Sequence, residues 1–392
     1  MISAINIPIP NKQPSFGNKS TSNTIEVKGT ETKAKIYTTN VDYSTYDQIK
    51  TICSHPVFRD TPVRIMPDTH AGKNSVVGFT APINERGEII PSIISGDIGC
   101  GMLCVEVDTN GEEIDFNGLD NVIRKYASTS HTEKAASLER KFSPIAKEVN
   151  YLCRKKYGKN AEKVISTLGT LGGGNHFIEL DKDDDGKTYL VIHTGSRTFG
   201  KEVNNYHQEN AVKQNPYKIR DMSYLSGSEA KDYLEDMKLA VKYSQINRRI
   251  IADEIIKHMG WKEISSFESI HNYISDEGMI RKGAISSNLG EKILIPLNMR
   301  DGAIIAKGKG NKDWNYSAPH GAGRQFSRGK ASKLITVDEY KKTMNGIHSS
   351  CISSATIDEA PQAYKPAEEI IENIEETAEV EKLISPIFNY KD

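Results

Sequence analysis

The chain has no apolar run long enough to cross a bilayer and no signal-peptide pattern at its start, which points away from a membrane-bound or secreted protein and makes a cytoplasmic location the expectation. It has no excess of either charge. Fifty-one basic side chains stand against 52 acidic ones, so a surface coated with basic residues for non-specific nucleic-acid binding is excluded and only local basic patches remain. Cysteine is scarce: Cys53, Cys100, Cys104, Cys153 and Cys351 include no CxxC pair, which fits neither a disulfide framework nor a zinc finger. No internal repeat and no linker-like stretch divides the 392 residues. One large mixed α+β domain is therefore expected, preceded by a flexible arm over residues 1–24, where Ser, Asn, Lys, Thr and Pro leave little apolar periodicity.

What is present is a set of short β-branched or apolar runs broken by Gly, Pro and Asp. VRIM, SVVGFT, IIPSII and MLCVEV before residue 110, then NHFIEL and TYLVIH, then GMIRKGAI, KILIPL and AIIAKG between 278 and 308, all read as strands joined by loops. Residues 118–166 read as mainly helical. Leu234, Met237, Val241, Ile246, Ile250, Ile251 and Ile255 fall at helical spacing with no proline, which predicts one long helix over 228–259, packed across a sheet. From Glu359 the chain is acidic and partly helical.

The loops carry the chemistry. SGDIGCGM sets Asp97 and Cys100 three residues apart in a glycine-rich turn after an apolar run, so that both side chains can reach one point. A soft thiolate beside a carboxylate suits a transition metal, although an isolated cysteine is more often a buried structural residue. GTLGGGNHFIEL leads from three glycines into Asn175, His176 and Glu179, where main chain can approach a ligand or form only a loose turn. VIHTGSR places His193 at a strand end as a neutral imidazole ligand, with Arg197 close behind as a phosphate clamp. SIHNYI offers His271, and MPDTHAGK offers Asp68 and Lys73. In SAPHGAGRQFSRGKA, His320 precedes Gly321, Ala322, Gly323 and Arg324 ahead of an expected helix start suited to phosphate. Spacing leaves His320 open as metal ligand or as nucleophile.

Taken together, PDTHAGK, SGDIGCGM, GTLGGGNHF, HTGSR, HNY, RKGA, HGAGRxxSR and DEAPxAYK resemble, in order and rough spacing, the RtcB family of RNA-splicing ligases. The resemblance implies a ligase domain over 25–392 with central β-sheets and an active site in a deep, metal-lined cleft. It implies an enzyme that joins RNA 3′-phosphate or 2′,3′-cyclic phosphate ends to 5′-hydroxyl ends, using GTP and two Mn²⁺ ions, in tRNA splicing or RNA repair, with an archease-type helper as a candidate partner. Cys100 would bridge both metals, with His176 and His193 completing one site and Asp97 and His271 the other. His320 would be the guanylylated nucleophile and Asp68 an essential acid. Asn175, Glu179, Gly321, Ala322, Gly323, Tyr364 and Lys391 would meet the nucleotide, and Lys73, Arg197 and Arg324 the RNA phosphates. Two departures stand out: Pro296 to Gly302 reads PLNMRDG where the family has a Pro-Gly-Ser-Met-Gly loop, leaving Asn298 as the substitute contact, and the chain reads Tyr390, Lys391, Asp392 in place of the usual Lys-Gly.

Overall fold

The computed structural model describes residues 24–127 and 143–392. The expected N-terminal arm, apart from Thr24, and part of the predicted helical stretch lie outside them. Strands are numbered β1 to β15 in chain order. A six-stranded sheet runs β1 (Ile25–Lys28), β2 (Lys33–Ile36), β3 (Val63–His70), β4 (Val77–Pro82), β10 (Met279–Lys282), β9 (Asn272–Ile274). A seven-stranded sheet runs β12 (Lys292–Asn298), β13 (Gly302–Gly308), β15 (Ala378–Tyr390), β6 (Phe177–Lys182), β7 (Thr188–Thr194), β5 (Gly101–Asp108), β8 (Lys262–Ile270). A short pair, β11 (Ala284–Ser286) and β14 (Ser317–Pro319), completes the set. Every pairing but β2 with β3 is antiparallel.

The side-chain alternation of the seven-stranded sheet shows how it is packed. On β5, Leu103, Val105 and Val107 join Ile178, Leu180, Leu190 and Ile192 in a cluster with Ile251, Ala252 and Ile255 of the helix Gly227–Met259. The alternate residues Met102 and Cys104 join Val191, Leu294, Ile305 and Ile384 in a second cluster on the other face. Both faces are therefore buried, which is why β5 reads as a continuous apolar run. The sheet curls back on itself: the amide of Leu294 on β12 donates to Ser269 Oγ on β8, 2.9 Å away, across what would be its two edges.

The helix Gly227–Met259, 33 residues and about 50 Å long at 1.5 Å per residue, lies across β5 and β7 as its periodicity predicts. Two strand-like runs fold otherwise. IIPSII supplies only a single bridge at Ile89 and then one helical turn, Pro91–Ile94, because Pro91 lacks the N–H that a ladder needs and suits the first turn of a helix. SGDIGCGM thus precedes a strand and follows that turn. The C-terminal region is helical over Ala367–Ile374 but then gives a 13-residue central strand, β15, whose charged stretch EVEK hid its strand character.

Candidate active site

Three loops meet at the end of β5, β6 and β7, and the long helix holds them. Gly99 has φ +69°, and a Cβ there would lie 2.9 Å from Val241 Cα of that helix, so only glycine permits the approach. Ser244 Oγ donates to the Gly99 carbonyl (2.7 Å). Arg248, fully buried, donates from Nη1 to the carbonyls of Gly99 (2.9 Å) and Thr194 (2.7 Å) while its Nε meets Glu268 at 3.0 Å. Asn247 accepts from the amides of Gly169 (2.6 Å) and Thr170 (3.1 Å) and donates to the carbonyls of Thr170 (3.0 Å) and Gly195 (3.2 Å). Two adjacent helix residues thereby clamp the loops bearing Cys100, His176 and His193. Neither was singled out from sequence, although a buried Asn-Arg pair inside an apolar helical stripe is a readable signal.

Cys100 sits at the centre. Its Sγ lies 3.2 Å from His193 Nε2 and 3.5 Å from His176 Nε2. Each of those rings faces a carbonyl through Nδ1: Asn175 O at 3.0 Å for His193 and Leu171 O at 3.0 Å for His176. Since a carbonyl can only accept, Nδ1 carries the proton and Nε2 presents its lone pair. The His271 amide donates to the Cys100 carbonyl (2.9 Å), and its buried Nδ1 has no hydrogen-bond partner among the described residues. Asp97 reaches His176 Nε2 at 3.8 Å.

The ligand atoms form two groups sharing Cys100: Asp97, Cys100 and His176 in one, Cys100, His193 and His271 in the other. The resemblance paired the histidines differently, joining His176 with His193. Spatially His176 goes with Asp97, because β7 carries His193 toward β9 and the His271 ring, with centroids 5.2 Å apart.

The electrostatics suit a cation. Burial pushes the Cys100 thiol upward, and the Asp97 charge adds to that. Burial likewise lowers His193 and His271, keeping them neutral. At Asp97 burial pushes upward but is outweighed by His176 and Cys100, which hold the carboxyl well below its usual range. A thiol that ionises only with a positive charge beside it, neutral imidazoles with lone pairs turned inward, and an orphaned His271 nitrogen together fit a divalent transition ion.

Next to this cluster, the His320 ring lies 4.7 Å from that of His271, centroid to centroid. Its Nδ1 is 2.5 Å from Oδ2 of the fully buried Asp68, leaving Nε2 as the free nitrogen. Gly323, φ +73°, passes the Asp68 backbone so closely that a Cβ would stand 2.9 Å from its Cα. GAGRQF is a loop, and the expected helix starts only at Arg328, so the glycines serve this close approach rather than a helix N-terminus.

A cleft of about 580 Å³ opens over the cluster. Lys73, Asp97, Asn175, Glu179, His193, His271, Asn298, His320, Gly321, Ala322, Gly323, Arg324, Tyr364 and Lys391 line it. Asp68, Cys100 and His176 are buried behind its surface, and Arg197 lies outside the lining, its Nε 3.2 Å from Thr170 Oγ1 and its guanidinium packed under Gly172. Asn298 uses its amide within its own turn, accepting from the amides of Arg300 and Asp301 (3.0 Å each) and donating to Asp301 Oδ2 (2.8 Å). Arg324 is likewise committed, to the Phe326 and Asp358 carbonyls and to Glu359.

Glu359, absent from the expected set, is the hub of one wall. The buried carboxylate takes Arg324 (3.2 Å), Arg328 (2.6 Å), Lys391 (3.1 Å) and the Tyr364 hydroxyl. Burial would raise it, but Lys391 and Arg328 bring it down to about 2. Glu359 thus orders three cations, of which Arg328 is also held by Asp358 at 2.6 Å, so three cations stand against two acids there. Lys282, half-buried, also lines the cleft and donates to the Ile94 carbonyl at 3.1 Å.

A thiol, three imidazoles and a carboxylate at the floor of a cleft with a cationic wall define the class of site, a candidate transition-metal centre facing an anionic ligand. A family model described as tRNA-splicing ligase RtcB matches residues 48–392. This chain belongs to the RtcB family. The RNA-splicing ligase RtcB of Escherichia coli K12 is 28% identical over 349 residues, covering 79% of this chain and 85% of that protein. The tRNA-splicing ligases RtcB of Aeropyrum pernix and Methanococcus maripaludis are 25% and 26% identical, with 78% and 84% of this chain and 82% and 87% of theirs covered. Among the described residues no helix is long and apolar enough to cross a membrane.

Proposed function

We propose that this protein is a GTP-dependent RNA ligase that joins a 3′-phosphate or 2′,3′-cyclic phosphate end to a 5′-hydroxyl end through a histidine–guanylate intermediate, in tRNA splicing or RNA repair. The observation that carries the reading is the Asp68–His320 pair, 2.5 Å apart, set against the Cys100 cluster inside the cleft. Asp68 holds the Nδ1 proton, so Nε2 can attack the α-phosphorus of GTP; a P–N bond forms and pyrophosphate leaves. An oxygen of the RNA 3′-phosphate then attacks the same phosphorus, the P–N bond breaks, and His320 is regenerated. Finally the 5′-hydroxyl attacks the activated 3′-phosphorus, losing its proton as GMP departs. A cyclic end is first opened by water to a 3′-phosphate.

Asp97, Cys100, His176, His193 and His271 would hold two manganese ions, which when bound supply Lewis-acid neutralisation of phosphate charge. Asn175, Glu179, Gly321, Ala322, Gly323, Tyr364 and Lys391 would contact the guanine nucleotide. Lys73 would contact RNA phosphate at the cleft mouth, and Arg328, more exposed than Arg324 and paired to Asp358 and Glu359 through Nη1, would turn its other guanidinium donors to it. The test is incubation with labelled GTP and Mn²⁺, followed by a joining assay on RNAs with the stated ends, each with and without an archease-type helper. An acid-labile adduct lost in His320→Ala, together with a joined product, is expected; an adduct that survives His320→Ala sinks the assignment.

A further inference from the structure

Asp181 is fully buried, and among the described residues neither of its carboxyl oxygens has a hydrogen-bond donor. Ile178 and Leu180 on β6 face the long helix, so alternation turns Glu179 and Asp181 together into the interior of the curled sheet, the side that holds Met102, Cys104, Leu294 and Ile384. Glu179 lies in one cross-strand row with Cys104, Val191 and Asn389. Its Oε2 accepts from Asn389 Nδ2 at 2.5 Å, and Lys391 acts on it through its charge. Nothing of the kind reaches Asp181. The Tyr189 hydroxyl beside it on β7 is turned to Asp183 and Lys382, Cys104 is a buried thiol one row away on the same face, Glu106 lies in its row on β5, and the carboxyl of Glu179 stands two residues away on the same face of β6.

Two carboxyls in an apolar interior with no cation on the inner one cannot both be ionised. Glu179 and Asp181 stand two residues apart on one face of β6, so a single proton can be shared between them, and the inner position, without Asn389 or Lys391, is where it belongs. Burial pushes both groups upward, Asp181 further than Glu179, whose ionised form Asn389 and Lys391 favour.

We propose that Asp181 is a positioning residue that carries a proton and donates it to Glu179, so that Glu179 faces the cleft as a fixed, ionised acceptor for the N–H edge of the nucleobase. This rests on the reading above that Glu179 meets guanine. Guanine offers two adjacent donors on that edge, whereas adenine puts a ring acceptor there. An ionised Glu179 therefore favours guanine, and a protonated one would lose the preference.

Three variants and three readouts test it. Infrared difference spectra of wild type against Asp181→Asn at neutral pH should show a protonated carboxylic-acid band that the variant lacks. Stability should agree in sign: groups that bind a proton more tightly folded than unfolded cost stability as pH rises above the ordinary carboxyl range, so wild type should lose melting temperature from about pH 5 to about pH 9 more steeply than Asp181→Asn. For nucleotide use, Asp181→Asn keeps a donor toward Glu179 and should hold KM for GTP within about twofold, with a flattened pH profile, while Asp181→Leu should raise KM about tenfold or more at little cost in kcat. Asp181→Ala should follow Asp181→Leu, which separates loss of the donor from a packing effect. If Asp181→Asn leaves both the acid band and the stability slope unchanged, the proton is not there and the proposal fails. If both change but Asp181→Leu keeps the wild-type preference for GTP over ATP, Asp181 does not position Glu179 and the proposal fails equally. Absence of any nucleotide adduct in wild type would instead overturn the ligase reading, with the infrared and stability arms still deciding where the proton sits.

Discussion

Replacing Asn247 with alanine removes the amide that ties the GTLGGGN loop to the HTGSR loop. The variant strips partners from two buried amides, Gly169 and Thr170, and two carbonyls, Thr170 and Gly195. An orphaned buried polar group costs about 1–3 kcal/mol, and partial relaxation or an entering water recovers some of it, so a loss of about 3–5 kcal/mol is expected. Because Leu171 O and Asn175 O on the same loop set the tautomers of His176 and His193, metal affinity should fall by about 10–100-fold as well. Asn247→Asp keeps the acceptor and loses the donor, so it should lie between. Urea unfolding of the metal-free protein gives the first number, and titration with Co²⁺, followed through its thiolate charge-transfer band, gives the second. A loss under about 1 kcal/mol with unchanged Co²⁺ affinity would refute the claim that this side chain organises the centre.

Cys100→Ser should abolish the Co²⁺ thiolate band and the GTP adduct together, and chelation of wild type should remove the adduct reversibly; an adduct of normal yield in Cys100→Ser would separate the cysteine from the chemistry. Asp68→Asn should keep the fold but slow adduct formation by about 100-fold or more, because the Nδ1 proton loses its carboxylate acceptor; single-turnover labelling reads this. Glu359, held at about 2 in the folded protein, has a depressed pKa, so its stabilisation is full above the ordinary glutamate range and is lost as pH falls through about 2. Glu359→Gln should thus cost about 3 kcal/mol at neutral pH, with the gap to wild type closing between about pH 4.5 and 2, measured by urea melts across pH. Asn298→Ala should cost about 1 kcal/mol through loss of its turn bonds and leave the GTP preference unaltered; a changed preference would show that its amide leaves the turn to meet nucleotide.

Much of the site is legible in the chain because its chemistry is concentrated in short loops. A thiol three residues from an aspartate, a histidine after three glycines and another at a β-branched strand end each have few packing explanations, and the ordered string of motifs adds the family. The long helix is equally plain, since its apolar spacing runs without proline over 33 residues. Local pattern misleads where a single residue changes the backbone rule, as Pro91 does in IIPSII, or where charge covers a strand, as in β15.

The tertiary structure alone decided which histidine shares a group with which carboxylate, since that depends on where β7 and β9 carry His193 and His271. It also decided that Asn247 and Arg248 are clamps, that Glu359 gathers three cations, and that Asp181 is buried with no hydrogen-bond partner among the described residues. Sequence determines which donors, acceptors and charges exist and how neighbouring ones alternate. Whether a given group has a partner, and so what proton or ion it must take, depends on residues tens to hundreds of positions away that only folding brings within about 3 Å.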